Sequence, residues 1–337
     1  MSLNGDSDTY DSGDDLLHRR FPRRKRAVMG HIARHRTDLV HRTPTEFEGR
    51  STGYTADAVV DEAAGSVQMG FRLARIEAGG TVDAHVHSFE ESIFVVEGSL
   101  TVDTTEGSYA LTAGDYGLVP VGMTHAFRNR SGADVELAEM KAPLPRERFD
   151  FDTQFPGALD VGTTQRIDVR DPRNRWFGHI DPESMDPALQ TQDRLALSAS
   201  MRTALLVYSG ITVKMMIDSD LGADLSTMFM VQYEPGGFAG AHDHPLEEAY
   251  LILEGEVEAG FDGTTYRLGP GDVAWAGVGC VHQFRNLGDG PVRWLETQAP
   301  QPPPRHLYRS SRDWSYLRDT LAEETTPTDT RPARSTS

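Results

Sequence analysis

The sequence predicts an all-β protein made of two copies of one domain, with few and short helices. Three observations carry that expectation: a repeat at constant spacing, short segments rich in β-branched and aromatic residues, and no helical spacing inside the repeat. Subtraction exposes the repeat: His242 minus His85, His244 minus His87, Glu248 minus Glu91 and His282 minus His125 all equal 157. Laid over each other without a gap, residues 53 to 143 and 210 to 300 agree at 28 of 91 positions. The matches include Gly79/Gly236, Gly98/Gly255, Gly114/Gly271, Asp115/Asp272, and the run Phe127-Arg128-Asn129 against Phe284-Arg285-Asn286.

Within each copy the segments read as strands. "FRLARIEAGG", "SIFVVEGSLTVD" and "YGLVPVG" are short, rich in β-branched and aromatic residues, and punctuated by glycine or acidic turns. Several such strands in about 90 residues suit a sandwich or barrel, not an alternating α/β sheet.

Outside the copies the chain reads differently. The stretch "NGDSDTYDSGDD" followed by "HRRFPRRKR" lacks apolar periodicity and is expected to be a solvated, partly disordered arm. Near the other end, "RDWSYLRDTLAEE" has the spacing of a short helix burying Trp314, Leu317 and Leu321, ahead of the polar tail "TPTDTRPARSTS".

Composition excludes several function classes. A net charge of −18 opposes nucleic-acid or anionic-membrane binding, which needs clustered basic charge. Cys280 is the only cysteine, so no intramolecular disulfide framework exists. No window resembles a signal peptide or an apolar span of about 20 residues, so a soluble, cytoplasmic protein is expected.

The chemistry-bearing residues sit at corresponding places in the two copies. "DAHVHSFEES" and "GAHDHPLEEA" each place two histidines one residue apart, on one face of a strand, with a glutamate four residues after the second. His125 and His282 follow later turn signals and come from other strands. Three imidazoles and a carboxylate suit Mn, Fe, Co, Ni, Cu or Zn, whereas Ca or Mg prefer all-oxygen sites. A six-coordinate ion on four protein ligands keeps two positions for water, substrate or dioxygen.

On these residues each half resembles a cupin, and the whole chain resembles a bicupin. The first cupin motif is met by Gly79, His85, His87, Glu91 and Gly98, and again by Gly236, His242, His244, Glu248 and Gly255. The second motif is met by Gly114, Pro120, Gly122, His125 and Asn129. The second copy has Gly271, Gly279, His282 and Asn286, with Gly277 where proline is expected.

The resemblance implies two jelly-roll, double-stranded β-helix barrels arising by internal duplication. The expected layout is an arm over 1–45, barrel 1 over 46–146, a connection over 147–205, barrel 2 over 206–308, and a helix with a disordered tail over 309–337. It also implies that His85, His87, Glu91 and His125 in one barrel, and His242, His244, Glu248 and His282 in the other, hold a divalent transition metal, up to two per chain.

Neighbouring residues are candidates for substrate contact. Arg75 stands where oxalate-decarboxylase-like bicupins place an arginine for a substrate carboxylate, and Gln232 replaces it in the second copy. Ile93 and Val95 share the parity of Glu91, while Tyr250 and Ile252 share that of Glu248, so the second site gains a phenol. Phe127 and Phe284 have the parity of the last histidine and are expected to line the pockets. Cys280 precedes His282 by two residues and is expected to be a buried, inert thiol.

The leading expectation is a metal-dependent enzyme acting on a small oxygen-bearing molecule, a carboxylate among the options, by dioxygenase-type oxidation. The alternative is redox-neutral hydrolysis or decarboxylation, as in ureidoglycine aminohydrolases and oxalate decarboxylases. A third is a non-enzymatic module that binds a metabolite or metal. A small-molecule substrate is the expected partner, without nucleic acid or membrane, and a homo-oligomer is left open.

Overall fold

The structure, a computed structural model, describes residues 30–169, 171–189, 203–206 and 209–301. The predicted helix with Trp314, Leu317 and Leu321 lies outside the described residues, as does the charged arm before residue 30. No helix among the described residues is long and apolar enough to cross a membrane.

Strand β1 (His31–Arg34) comes first. The first copy then supplies β2 (Ser51–Val60), β3 (Gly70–His87), β4 (Glu90–Glu97), β5 (Ser99–Thr104), β6 (Gly107–Thr112), β7 (Asp115–Val119), β8 (His125–Arg128) and β9 (Val135–Ala142). The connection carries β10 (Thr153–Gln154), β11 (Gln165–Arg166), β12 (Phe177–His179) and several 3₁₀ turns, and β13 (Thr203–Leu206) follows. The second copy continues with β14 (Ile211–Ile217), β15 (Thr227–Tyr233), β16 (Phe238–His242), β17 (Glu247–Glu254), β18 (Val257–Phe261), β19 (Thr264–Leu268), β20 (Val273–Ala276), β21 (His282–Asn286) and β22 (Val292–Ala299).

The fold class is all-β, with two curled jelly-roll domains as expected. In the second domain one sheet runs β1-β20-β17-β22-β15-β14-β13 and faces a smaller one, β16-β21-β18-β19. In the first, the 18-residue β3 bends through Gly79 and Gly80 and belongs to both sheets, so they merge into one ordered network. The second copy breaks the corresponding strand at Glu234–Gly237, giving the separate β15 and β16. Gly98 and Gly255 take positive φ of 88° and 73°, and a Cβ there would meet a backbone carbonyl at 2.5 or 2.7 Å. That double constraint explains why both copies carry glycine at this turn.

Alternation along each strand sends side chains to two different cores. On β3, Ala74 and Ile76 enter the first barrel with Ile93, Leu137 and Phe127, whereas Phe71 and Leu73 enter a core shared between the barrels. On β15, Phe229, Val231 and Tyr233 line the second barrel, and Met228 and Met230 join the shared core with Leu251, Trp275 and Leu295. Each domain thus has its own interior, and a third apolar layer joins them.

Two further devices tie the barrels together. Strand β1, which precedes the first barrel, pairs with β20 of the second, while β12, which precedes the second, pairs with β7 of the first. Each exchanged strand is held by a histidine on an equivalent aspartate: His35 Nδ1 lies 2.9 Å from Asp272, and His179 Nδ1 lies 2.7 Å from Asp115. Residues 31–34 of the expected arm therefore form part of a sheet. The second device is a reciprocal pair of buried carboxylates. Glu90 accepts from Asp224 N, Leu225 N and Ser226 Oγ, and the equivalent Glu247 accepts from Ser66 Oγ, Val67 N and Gln68 N.

Candidate metal centres

The end of β3, the start of β4 and the start of β8 converge inside the first barrel. Antiparallel pairing sets His85 opposite His125, with a bulge between Val82 and His85 that turns the histidines inward. The donor atoms of His85, His87, Glu91 and His125 all lie within 4.8 Å of one another, and all four residues are buried. In the second barrel His242 opposes His282, and the donors of His242, His244 and His282 lie within 4.8 Å. Glu248 completes that set, its Oε2 2.8 Å from His244 Nε2 and 3.2 Å from His282 Nε2.

All six imidazoles are oriented alike. Nδ1 of His85, His87 and His125 bonds the carbonyls of Asp83, Phe89 and Met123, and Nδ1 of His242, His244 and His282 bonds those of Gly240, Leu246 and Cys280. A carbonyl only accepts, so each Nδ1 carries a proton and each ring turns its Nε2 to the centre. Glu91 Oε2, itself an acceptor, lies 3.1 Å from His125 Nε2 and 3.5 Å from His87 Nε2. His87 Nε2 and His282 Nε2 are buried and have no hydrogen-bond partner among the described residues. Lone pairs aimed at one another in a dry interior need a cation between them, so both sets fit a divalent metal.

Electrostatics agree. Burial, with repulsion from His125, pushes His85 well below its ordinary pKa; burial also lowers His87 and brings His242 down to about 4. Burial opposes protonation of His244 too, but the Glu248 carboxylate outweighs it and raises that ring. Burial works to raise Glu91, yet the Lys141 ammonium and the two neighbouring histidines hold it well below the usual carboxylate range.

The floors of the two sites differ. In the first, Lys141 Nζ lies 3.6 Å and Arg72 Nη2 3.9 Å from Glu91 Oε1. Arg72 is bound in turn by Glu139 and by Glu46 at 2.9 Å, and Tyr54 Oη donates to Glu139 at 3.0 Å. Two cations and three carboxylates thus form a closed buried network. In the second, Gln298 donates to Glu248 Oε1 and Tyr250 Oη donates to Glu248 Oε2. Burial and the adjacent Glu248 push Tyr250 well above the ordinary phenol pKa and likewise push the Glu296 carboxyl up. Aromatic rings form the walls: Phe47, Phe127 and Phe155 lie against His85, and Phe284 stacks on Trp294 and packs tilted against Tyr250.

Two sequence expectations are corrected. Arg75 lies on the exposed outer side, its guanidinium bonded to Asp134, and does not reach the ligands. Gln232 is buried but also points out of its barrel, donating to Glu234 at 3.0 Å and to the Met185 carbonyl at 3.4 Å. Parity cannot be carried back from the histidines through the Gly79-Gly80 bend, and Arg72 is the inward arginine of that strand. Tyr250, Phe127 and Phe284 do face the interiors. Cys280 is buried, and burial with the nearby Asp262 pushes its thiol up to about 12.

Sequence reasoning missed Arg72, Lys141, Glu139 and Gln298. A signal existed: in "ELAEMKA" and "RWLETQA" the inward parity runs Leu137-Glu139-Lys141 and Trp294-Glu296-Gln298, polar residues at matching places on strands otherwise apolar.

Comparison with known proteins agrees with this architecture. The cupin-domain family model matches residues 72–140 and again 229–297. A putative glyoxylate-induced protein from Pseudomonas aeruginosa superposes with a TM-score of 0.58 at 16% identity, covering 82% of this chain and 90% of that one. A point mutant of Bacillus subtilis oxalate decarboxylase gives 0.55 at 16% identity, covering 86% of this chain and 84% of that one. In sequence, a 91-residue stretch is 38% identical to germin-like protein 3-1 of Oryza sativa subsp. japonica, 25% of this chain and 40% of that protein. Another match, 32% identical over 91 residues, is to polyketide synthase CurC of Streptomyces cyaneus, 26% of this chain and 59% of the relative. The chain spans less than two thirds of either relative's length.

Proposed function

We propose that this chain, a bicupin of the cupin family with a full ligand set in each barrel, is a metal-dependent enzyme acting on a small oxygen-bearing organic molecule. One observation carries the reading: six imidazoles, each with Nδ1 on a backbone carbonyl, and two carboxylates turn their remaining donor atoms to two common points. His85, His87, Glu91 and His125 would hold one ion, and His242, His244, Glu248 and His282 the other. When bound, such an ion supplies Lewis-acid polarisation of a substrate oxygen and, if redox-active, electron transfer to dioxygen.

The chain's own residues divide the remaining work. The backbone carbonyls fix the tautomer of every ligand histidine, and Lys141 or Gln298 fixes the ligand carboxylate from across the strand pair. Phe47, Phe127 and Phe155 exclude water around the first site. At the second, Tyr250 keeps its proton on Oη, directed to Glu248.

Dioxygenase-type oxidation is the leading form of this reading, because a three-histidine, one-carboxylate set on a six-coordinate ion keeps two open positions. A redox-neutral hydrolase or decarboxylase is the second form. It is favoured by the ionisable Lys141 and Arg72 beside the first ligand set, and by a two-barrel backbone shared with oxalate decarboxylases.

The test loads chelator-stripped protein with iron, manganese, nickel, copper, cobalt or zinc and offers small hydroxy acids, enols and dicarboxylates while dissolved oxygen is followed. Oxygen uptake matched to substrate loss supports the oxygenase form. Conversion that is equal under nitrogen selects the redox-neutral form. Saturable binding with no conversion under any metal overturns the enzyme reading and leaves a binding module.

A further inference from the structure

A third cluster of donors is distinct from both ligand sets. His31 on β1, Asp262 in the turn between β18 and β19, and Cys280 in the turn before β21 bring an imidazole nitrogen, a carboxylate oxygen and a sulfur within 4.8 Å of one another. These residues come from three separate elements, and their side chains are already positioned. His31 lies 2.9 Å from Tyr266 Oη through Nε2 and stacks on Phe261 at 5.6 Å, which leaves Nδ1 facing Asp262 Oδ2 at 4.0 Å. Asp262 takes a positive φ of 47°, and its Oδ1 accepts from Val281 N at 3.0 Å, so Oδ2 is the oxygen turned to the cluster. Cys280 is buried, while the side chains of His31 and Asp262 keep 19% and 36% of their exposure, enough for a water to enter from one side.

We propose that His31, Asp262 and Cys280 form a third metal site, for a borderline divalent cation of the zinc type, which fastens the exchanged strand β1 to the second barrel. Thiolate, imidazole and carboxylate together select Zn-like ions over Ca or Mg, and three protein ligands plus water complete a tetrahedral set with one open position. Bonds of about 2.0–2.3 Å require the donors to be slightly closer than they stand, which small side-chain rotations supply. On binding, the cation replaces the thiol proton of Cys280, which passes to solvent. The repeat supplies an internal contrast: the first-copy positions equivalent to Asp262 and Cys280 are Thr105 and Met123, so the site belongs to the second barrel alone. It is independent of the proposed function.

Cobalt tests it, because neither set of three histidines and a glutamate contains sulfur and Cys280 is the only cysteine. Titrating the chelator-stripped full chain with Co²⁺ is expected to produce a thiolate-to-cobalt charge-transfer band in the near ultraviolet, displaced by Zn²⁺. The band is expected to vanish in Cys280→Ser and Cys280→Ala, to be lost or shifted in His31→Gln and Asp262→Asn, and to survive in His242→Gln. Zn²⁺ should also raise the melting temperature of the wild type more than that of Cys280→Ser, with far-ultraviolet dichroism confirming that each variant folds. Absence of the band while the two barrels fill overturns the proposal. So does a band indifferent to both His31→Gln and Asp262→Asn, or one lost in His242→Gln.

Discussion

Lys141 stands directly across the strand pair from Glu91, its Nζ 3.6 Å from the ligand carboxylate. In the second barrel Gln298 takes that place and donates a hydrogen bond to Glu248. A cation beside a ligand repels the ion that the ligand holds, and low dielectric strengthens the effect. Lys141→Gln is therefore expected to tighten metal binding at the first site by about tenfold, or ~1.4 kcal/mol. Gln298→Lys should weaken the second site by a similar factor. Chelator competition on each variant, with the other site disabled, measures both.

Tyr250 bonds the ligand oxygen of Glu248, and its buried ring packs on Phe284. Tyr250→Phe keeps the ring and removes the donor. Loss of such a supporting bond costs roughly 10-fold in metal affinity, with a stability change of about 1 kcal/mol. A weaker second site with an unchanged first, read from metal content after graded chelation, is the expected result.

Glu90 and Glu247 each reach into a loop of the opposite barrel. Hydrogen bonds to a charged acceptor are worth about 1.5–3 kcal/mol, so Glu90→Ala and Glu247→Ala should each lower stability by at least that much. Because each carboxylate serves both domains, urea unfolding of the wild type is expected to be one transition, and the double variant should split it.

The exchanged strand β12 is pinned by His179 on Asp115, with Asp181 adding to the attraction; the hydrogen bond to Asp115 outweighs burial and raises His179 above 6.5. A raised folded pKa gives stabilisation that is complete below the unfolded value and disappears as pH rises through the folded one. Amides of residues 177–180 should thus be better protected at pH 6 than at pH 9, after correction for intrinsic exchange. His179→Gln should remove the difference.

Arg75 and Arg72 offer a contrast within one strand. Arg75 pairs with Asp134 at the surface, so Arg75→Ala should cost under about 1 kcal/mol and leave metal content unchanged. Arg72→Ala takes the guanidinium from two carboxylates inside the barrel, Glu46 and Glu139, and is expected to cost about 3–5 kcal/mol, measured by denaturant unfolding.

The duplicated all-β fold and the clustering of three histidines with a glutamate in each barrel were legible because constant spacing and strand parity act over a few residues. His85 and His87 share a face whatever the rest of the chain does. Arg75 was misplaced because its parity had to be counted through the Gly79-Gly80 bend, where the face reverses. Glu46 was out of reach for another reason: it meets Lys141 and Arg72 from an element distant in sequence, and only closure of the barrel brings it there. The strand exchange was likewise invisible, since no local pattern tells β1 which barrel it will join.

That exchange also sets a timetable for synthesis. His31 pairs with Ala276, so β1 waits for the translation of more than 200 further residues before its partner exists. At roughly 5–20 residues per second, the wait is on the order of tens of seconds. The first barrel in turn lacks its outer strand β12 until the connection has been made. The first barrel can take up β12 while the rest of the chain is still emerging, but the second cannot reach its finished state until β20 has been made and an early segment closes onto a later barrel.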